Sequence, residues 1–184
     1  ILPARDYVLE RTGWRRVEAT GTFDHLKEFH LWSIRDGAAG FEVLTPLSPI
    51  GYRAAPILVD RGWVPADLKK PATRLSGQIE GEVTITGYIR TDLDIPQPYT
   101  LENEPENNIW YIVDYIAMGN RDQTLYRPGI LIADDAPNLG GWPLGISTIP
   151  SIRNNHLSYA VTWFSLALSA GIIWVLTIRR RRRQ

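Results

Sequence analysis

The chain has 184 residues, 20 basic and 20 acidic, is 44% hydrophobic and contains no cysteine. That length suits one soluble domain of ordinary size plus a further segment, and the missing cysteine excludes thiolate-ligated metals and thiol redox chemistry. Without the arginines at 179–183 the count falls to 15 basic against 20 acidic, a balance that argues against a nucleic-acid-binding face.

Residues 1–14 read as an entry segment with a short helix. From residue 15, Val17, Ala19, Gly21 and Phe23 alternate with polar neighbours, and the period of two predicts a half-buried strand. Phe29, His30, Leu31 and Trp32 predict its antiparallel partner, with residues 24–27 as the turn. Residues 40–45 predict a third strand, stopped by Pro46. Residues 56–59 form the unbroken apolar run of a central strand, which continues through Asp60, Arg61, Gly62, Trp63, Val64 and Pro65. Residues 66–79 are polar, contain Pro71 and Gly77, and predict a loop. Residues 82–90 alternate again and predict a strand. The stretch 92–108 carries Pro96, Pro98 and Pro105 and predicts a long surface excursion of the kind that serves a partner. A strand around 110–112, a short helix near 114–120 and a last strand at 129–133 complete the set.

The expected organisation is an entry segment (1–14), a mainly antiparallel β (α+β) domain (15–135), a Pro/Gly-rich connector (136–153), a transmembrane helix (154–178) and a basic tail (179–184). Residues 157–178 carry no charge, and a helix of that length reaches about 33 Å, enough to cross a bilayer. The arginines that follow place that end on the cytoplasmic or matrix side, so the domain is expected outside the cytoplasm. Ile1 is not a methionine, and export needs a signal; a preceding signal peptide or first membrane helix is therefore expected.

Chemistry-bearing motifs are few. No nucleophile elbow, phosphate loop or dinucleotide fingerprint is present, and the acidic residues are scattered, so the chain does not read as an enzyme. His25 and His30, five apart, could share a metal, but no third ligand lies near them and ordinary surface or cross-strand roles are preferred. Arg61 followed by Gly62 at the end of a buried run predicts a bulge or turn with a structural arginine. In the apolar segment, His156, Ala160, Trp163, Ala167, Ala170, Gly171 and Trp174 share one helical face. Ser158, Thr162, Ser165 and Ser169 share the opposite one, where bonding to their own backbone is preferred over an interhelical role. An imidazole is a natural axial ligand for haem iron, and Trp163 lies about 10 Å along the helix from it. The competing reading of His156 is a helix cap at the membrane surface. Arg153, just outside, either pairs with a haem propionate or meets lipid headgroups.

Three stretches carry a resemblance: residues 57–65 (ILVDRGWVP), Asn108-Ile109-Trp110-Tyr111 with Asp114 and Met118, and residues 154–164 (NNHLSYAVTWF). In this order and over nearly the whole chain, the sequence resembles the surfeit locus family of cytochrome c oxidase assembly factors. The resemblance implies two membrane helices flanking a β-rich domain, the first helix lying upstream of Ile1. It further implies a haem a chaperone without catalytic activity, with His156 as haem ligand and Trp163 beside it. The partners implied are the lipid bilayer and the oxidase subunits, chiefly the haem-bearing catalytic one. The expected location is a bacterial inner membrane with the domain in the periplasm, or alternatively the mitochondrial inner membrane. The competing function is a structural accessory subunit of the oxidase without haem transfer.

Overall fold

A computed structural model of the chain describes residues 2–3, 15–51, 54–91, 99–134, 138–145 and 155–183. Its strands are β1 (Leu2–Pro3), β2 (Arg15–Phe23), β3 (Phe29–Arg35), β4 (Ala38–Pro49), β5 (Ile57–Pro65), β6 (Glu82–Arg90) and β7 (Ile130–Ala133). Its helices are α1 (Tyr115–Asp122) and α2 (His156–Arg181). The chain divides into two units, Ile1–Thr148 with the sheet and Ile149–Gln184 with α2.

The strands form one sheet in the order β1-β2-β6-β7-β5-β4-β3, and a further pairing of β2 with β4 closes β2, β6, β7, β5 and β4 into a barrel. The fold is therefore mainly antiparallel β, as expected; the β5–β7 and β1–β2 ladders are parallel. Alternation sets β2: Val17, Ala19 and Phe23 are buried, while Arg16, Glu18 and Thr22 face solvent. Each barrel strand contributes to the interior, where Val17, Leu47, Val59, Ile89 and Leu131 meet. Burying each such side chain contributes about 1.5–3 kcal/mol.

β5 is buried on both faces, which accounts for its unbroken apolar run. Leu58 points away from the barrel interior into a second cluster with Phe29, Leu44, Trp110, Met118 and Tyr126. That cluster is covered by α1, whose start is set by Asp114: its carboxylate accepts from the backbone N–H of Ile116 and of Ala117, both at 3.0 Å. The helix predicted near 114–120 thus forms and buries Met118.

Three expectations need correction. β3 is not the partner of β2. It pairs with β4 (Phe29↔Leu44 through Arg35↔Ala38), whereas β2 pairs with β6 (Arg15↔Ile89 through Thr22↔Glu82). The end of β2 also pairs with β4, from Gly21↔Pro49 to Phe23↔Leu47. β2 and β3 are therefore successive neighbours along one side of β4, and the residues between them turn a corner instead of a hairpin. Pro46 does not stop its strand. Its carbonyl accepts the Asp24 N–H at 2.9 Å across that corner. In an antiparallel ladder a residue's N–H and C=O point the same way, so the N–H that proline lacks would face the corner, not β5. Finally, the strand expected at 110–112 reduces to a bridge, in which Trp110 exchanges backbone hydrogen bonds of 2.6 and 3.0 Å with Trp32 and His30.

Candidate functional site

α2 spans 26 residues, with a mean hydropathy of 1.9 over its best window and none of that window buried. At 1.5 Å per residue it reaches about 39 Å, enough to cross a membrane. Arg179, Arg180 and Arg181 occupy its last turn, where the helix dipole favours cations. His156 is its first residue and is exposed; Trp163, two turns on, is 69% exposed. Gly171, further along the helix, stands open: an added Cβ there would meet nothing within 4 Å. On the other face, Thr162 donates to the Ser158 carbonyl at 2.9 Å and Ser169 to that of Ser165 at 2.8 Å, the backbone role preferred for them. Arg153 lies outside the described residues.

In the barrel unit the chemistry gathers around a bulge in β5. The β4–β5 register shifts between Glu42↔Trp63 and Leu44↔Asp60, leaving Arg61 and Gly62 as the extra span predicted from the Arg-Gly pair. Gly62 has φ +117°, and an added Cβ would lie 2.0 Å from the Leu144 carbonyl oxygen. Leu144 and Trp63 exchange two backbone hydrogen bonds of 2.8 Å, so residues 138–145 form a strap across the bulge. Asn138 ties the strap down, donating to the Pro143 carbonyl at 2.6 Å and the Arg61 carbonyl at 3.4 Å.

The Arg61 side chain runs inward and is 4% exposed. It donates to the Gly77 carbonyl, reaches Asn138 Oδ1 and His25 Nδ1 at 3.4 Å each, and lies over the Phe23 ring at 4.9 Å. Desolvation depresses its pKa to about 10. His25 donates from Nε2 to the Ile79 carbonyl at 2.8 Å, because a carbonyl can only accept; Nδ1 is then the acceptor facing Arg61. Burial first, and the Arg61 charge after it, lower the pKa of His25.

A second network was not legible from spacing. Glu28, buried at the start of β3, forms a two-pronged ion pair with Arg74, which lies in the segment read as a polar loop. Arg74 also donates from Nε to the Leu68 carbonyl at 3.1 Å. His30 joins Glu28 at 3.0 Å, and its other ring nitrogen faces Asn108 Nδ2 at 3.0 Å. Trp110 fixes the proton positions. Its indole N–H can only donate, and it meets Asn108 Oδ1 at 3.0 Å, so Asn108 Nδ2 points to His30 Nδ1 and to the Glu28 carbonyl. His30 Nδ1 therefore accepts, and Nε2 carries the proton given to Glu28. Burial raises the Glu28 carboxyl, but the hydrogen bonds from His30 and Arg74, with the Arg74 charge, outweigh it and hold the group below its usual range.

His25 and His30 thus use their ring nitrogens in separate networks, and His30 is buried, not a surface residue. Among the described residues no group of three or more His, Asp or Glu side chains has metal-binding proximity. Asp60 and Glu42 are a pair of carboxylates near enough to interact. Burial, and then the Glu42 charge, push Asp60 well above the ordinary carboxylate range, while its Oδ1 accepts the Gly62 N–H at 3.0 Å.

Over most of its length the chain is similar to known proteins. The SURF1 family model matches residues 2–168. Surfeit locus protein 1 of Homo sapiens is 34% identical over 94% of this chain, and that of Takifugu rubripes is 31% identical over 94%. A SURF1-like protein of Monosiga brevicollis is 33% identical over 97% of the chain. The match spans 62% of the human protein, 77% of the pufferfish protein and 72% of the Monosiga one, so the chain covers about three fifths of the human relative's length. With a family model aligned along the barrel and into α2, this chain belongs to the SURF1 family.

Proposed function

We propose that the chain is a membrane-anchored assembly factor for cytochrome c oxidase, holding haem a for insertion into the catalytic subunit. The observation that carries this is the imidazole of His156 at the start of a membrane-length helix, with Trp163 on the same exposed face. Those residues fit a haem. The donor is a nitrogen base, the face beside it is lined by small side chains, and an indole is available to border a flat ring. Haem a supplies an iron that takes such a nitrogen as an axial ligand. His156 would hold the iron through a ring nitrogen, Trp163 would border the ring, and Ala160 and Ala167 would leave room for it.

The role is binding and release, not catalysis. A single imidazole at the membrane rim holds its cargo less firmly than a site with two axial ligands, so transfer to the oxidase runs downhill. The arginine tail supports a carboxyl end on the cytoplasmic side, with the barrel in the periplasm of a bacterial inner membrane; in a mitochondrial inner membrane the barrel would face the intermembrane space. Arg153 has the same proposed part as before, contact with a propionate or a headgroup.

The test is the absorption spectrum of the full chain purified in detergent after loading with haem a. Wild type retains the haem and His156→Ala loses most of it. Undiminished haem a in His156→Ala would overturn the assignment. A protein that copurifies with the oxidase yet never holds haem would instead be an accessory subunit.

A further inference from the structure

A cleft of about 530 Å³ opens on the barrel flank beside β6, within the range of small-molecule sites. Phe23, Ile79, Val83 and Ile85 give it an apolar lining. Arg61 reaches it from the bulge and is 96% buried, the complement of its 4% exposure. All of Arg61's polar partners are neutral: a carbonyl, an amide oxygen and an imidazole nitrogen. Among the described residues no carboxylate lies within ion-pair distance of it. The acid that acts on it through space, Glu28, is already committed to Arg74 and His30.

A buried guanidinium without a counter-ion is an expensive way to hold a bulge, since hydrogen bonds to neutral groups recover only part of its lost hydration. The other cation of the cleft, Arg16, is paired with Asp134 at 2.8 Å on the rim, so the pair adds no net charge. What remains is one positive charge at the inner end of an apolar slot. One positive charge matches a monoanion, whereas a dianion would leave its second charge unpaired in an apolar slot. The planar fork of arginine favours the two oxygens of a carboxylate.

We propose that this cleft binds a small monocarboxylate with an apolar body, its carboxylate on Arg61 and its hydrocarbon part along Phe23, Val83 and Ile85. Every residue that lines the site belongs to the barrel unit, and the proposal does not depend on haem binding. Thr84 provides a means of closing it. This residue lines the cleft but is exposed, and among the described residues its side chain bonds only Thr20, at 3.0 Å, so a larger side chain there should obstruct the mouth.

The experiment is calorimetric titration of the full chain in lipid nanodiscs with 4-phenylbutyrate, empty nanodiscs subtracted, alongside the neutral isostere 4-phenylbutanol. Saturable one-to-one binding is expected, weaker by roughly tenfold or more for the alcohol, which lacks the charge-assisted bonds. Thr84→Trp should weaken 4-phenylbutyrate by a similar factor while its unfolding temperature stays that of wild type. Absence of saturable binding to wild type, equal affinity for acid and alcohol, or full binding by folded Thr84→Trp would each overturn the proposal.

Discussion

Gly62→Ala tests whether the bulge and its strap are one structural device. Two costs add. The backbone at φ +117° is a region that side-chain-bearing residues enter at about 1–3 kcal/mol. The new methyl would also stand 2.0 Å from the Leu144 oxygen, a backbone atom that can yield only if the strap moves. Moving it breaks the two 2.8 Å bonds between Trp63 and Leu144, each contributing about 0.5–1.5 kcal/mol. The total is about 2–6 kcal/mol, or a fall in melting temperature of about 8–24 °C at about 4 °C per kcal/mol for a domain of this size. Thermal unfolding of the full chain in detergent, followed by tryptophan fluorescence, reads it directly, since Trp63 and Trp142 lie 6.4 Å apart at the strap. Gly37→Ala is the control. Gly37 has φ +80° with nothing within 4 Å, so it carries the backbone cost alone, about 1–2 kcal/mol. If the two variants melt together, the contact with Leu144 does not hold the bulge and the reasoning fails.

The Glu28–Arg74 pair is buried on both sides, so Arg74→Met alone should cost about 3–5 kcal/mol by stranding a carboxylate, and Glu28→Leu a similar amount. The double variant should cost clearly less than their sum in urea unfolding; simple additivity would mean the two do not act as a unit. Asn108 sits at φ +51° and joins Glu28, His30 and Trp110, so Asn108→Ala should cost about 2–4 kcal/mol. Asn108→Gly should recover the backbone part but not the hydrogen bonds, and equal melting of the two variants would remove the αL argument. Asp60 predicts a pH dependence. The unfolded chain releases its proton near the ordinary value of 3.8, the folded chain only well above it, so this residue's contribution falls as pH rises between those points. Asp60→Asn keeps an acceptor for Gly62 and has no proton to lose. Its urea midpoint should gain on wild type as the pH rises above 3.8 toward the raised folded-state titration of Asp60, and a gap that stays constant would show that Asp60 does not titrate in this way.

Much of the fold was legible because period reports which face of a segment is buried. β2, β5 and β6 were readable from Val17, Ala19 and Phe23, from the run at 57–59 and from the alternation at 82–90, and α2 from its length and charge-free middle. Period does not name a partner. Nothing in residues 15–32 distinguishes a hairpin from a corner, because the pairings that decide it, Val17↔Gly87 and Phe29↔Leu44, lie at a distance in sequence. Pro46 misled for a related reason: whether a missing N–H ends a strand depends on which side of the ladder it faces.

The polar interior was less legible than the strands, and the reason is chemical. A charged residue in a polar segment has the pattern of a solvated side chain whether or not a counter-ion waits elsewhere. Arg74 sits among such residues, and only Glu28, 46 positions away, makes it a core residue. Arg61 differed because it carried a local signal. A glycine directly after it, within an otherwise buried run, implied a break in the ladder and hence a side chain with somewhere particular to go. The destination was not implied, since glycine and proline at 137–145 report turns without reporting what those turns lie against. In the structure residues 138–145 lie against the Arg61–Gly62 bulge itself. The strap therefore closes over a backbone that leaves no room for a side chain at Gly62, and the RGW motif and the strap should tolerate change only together.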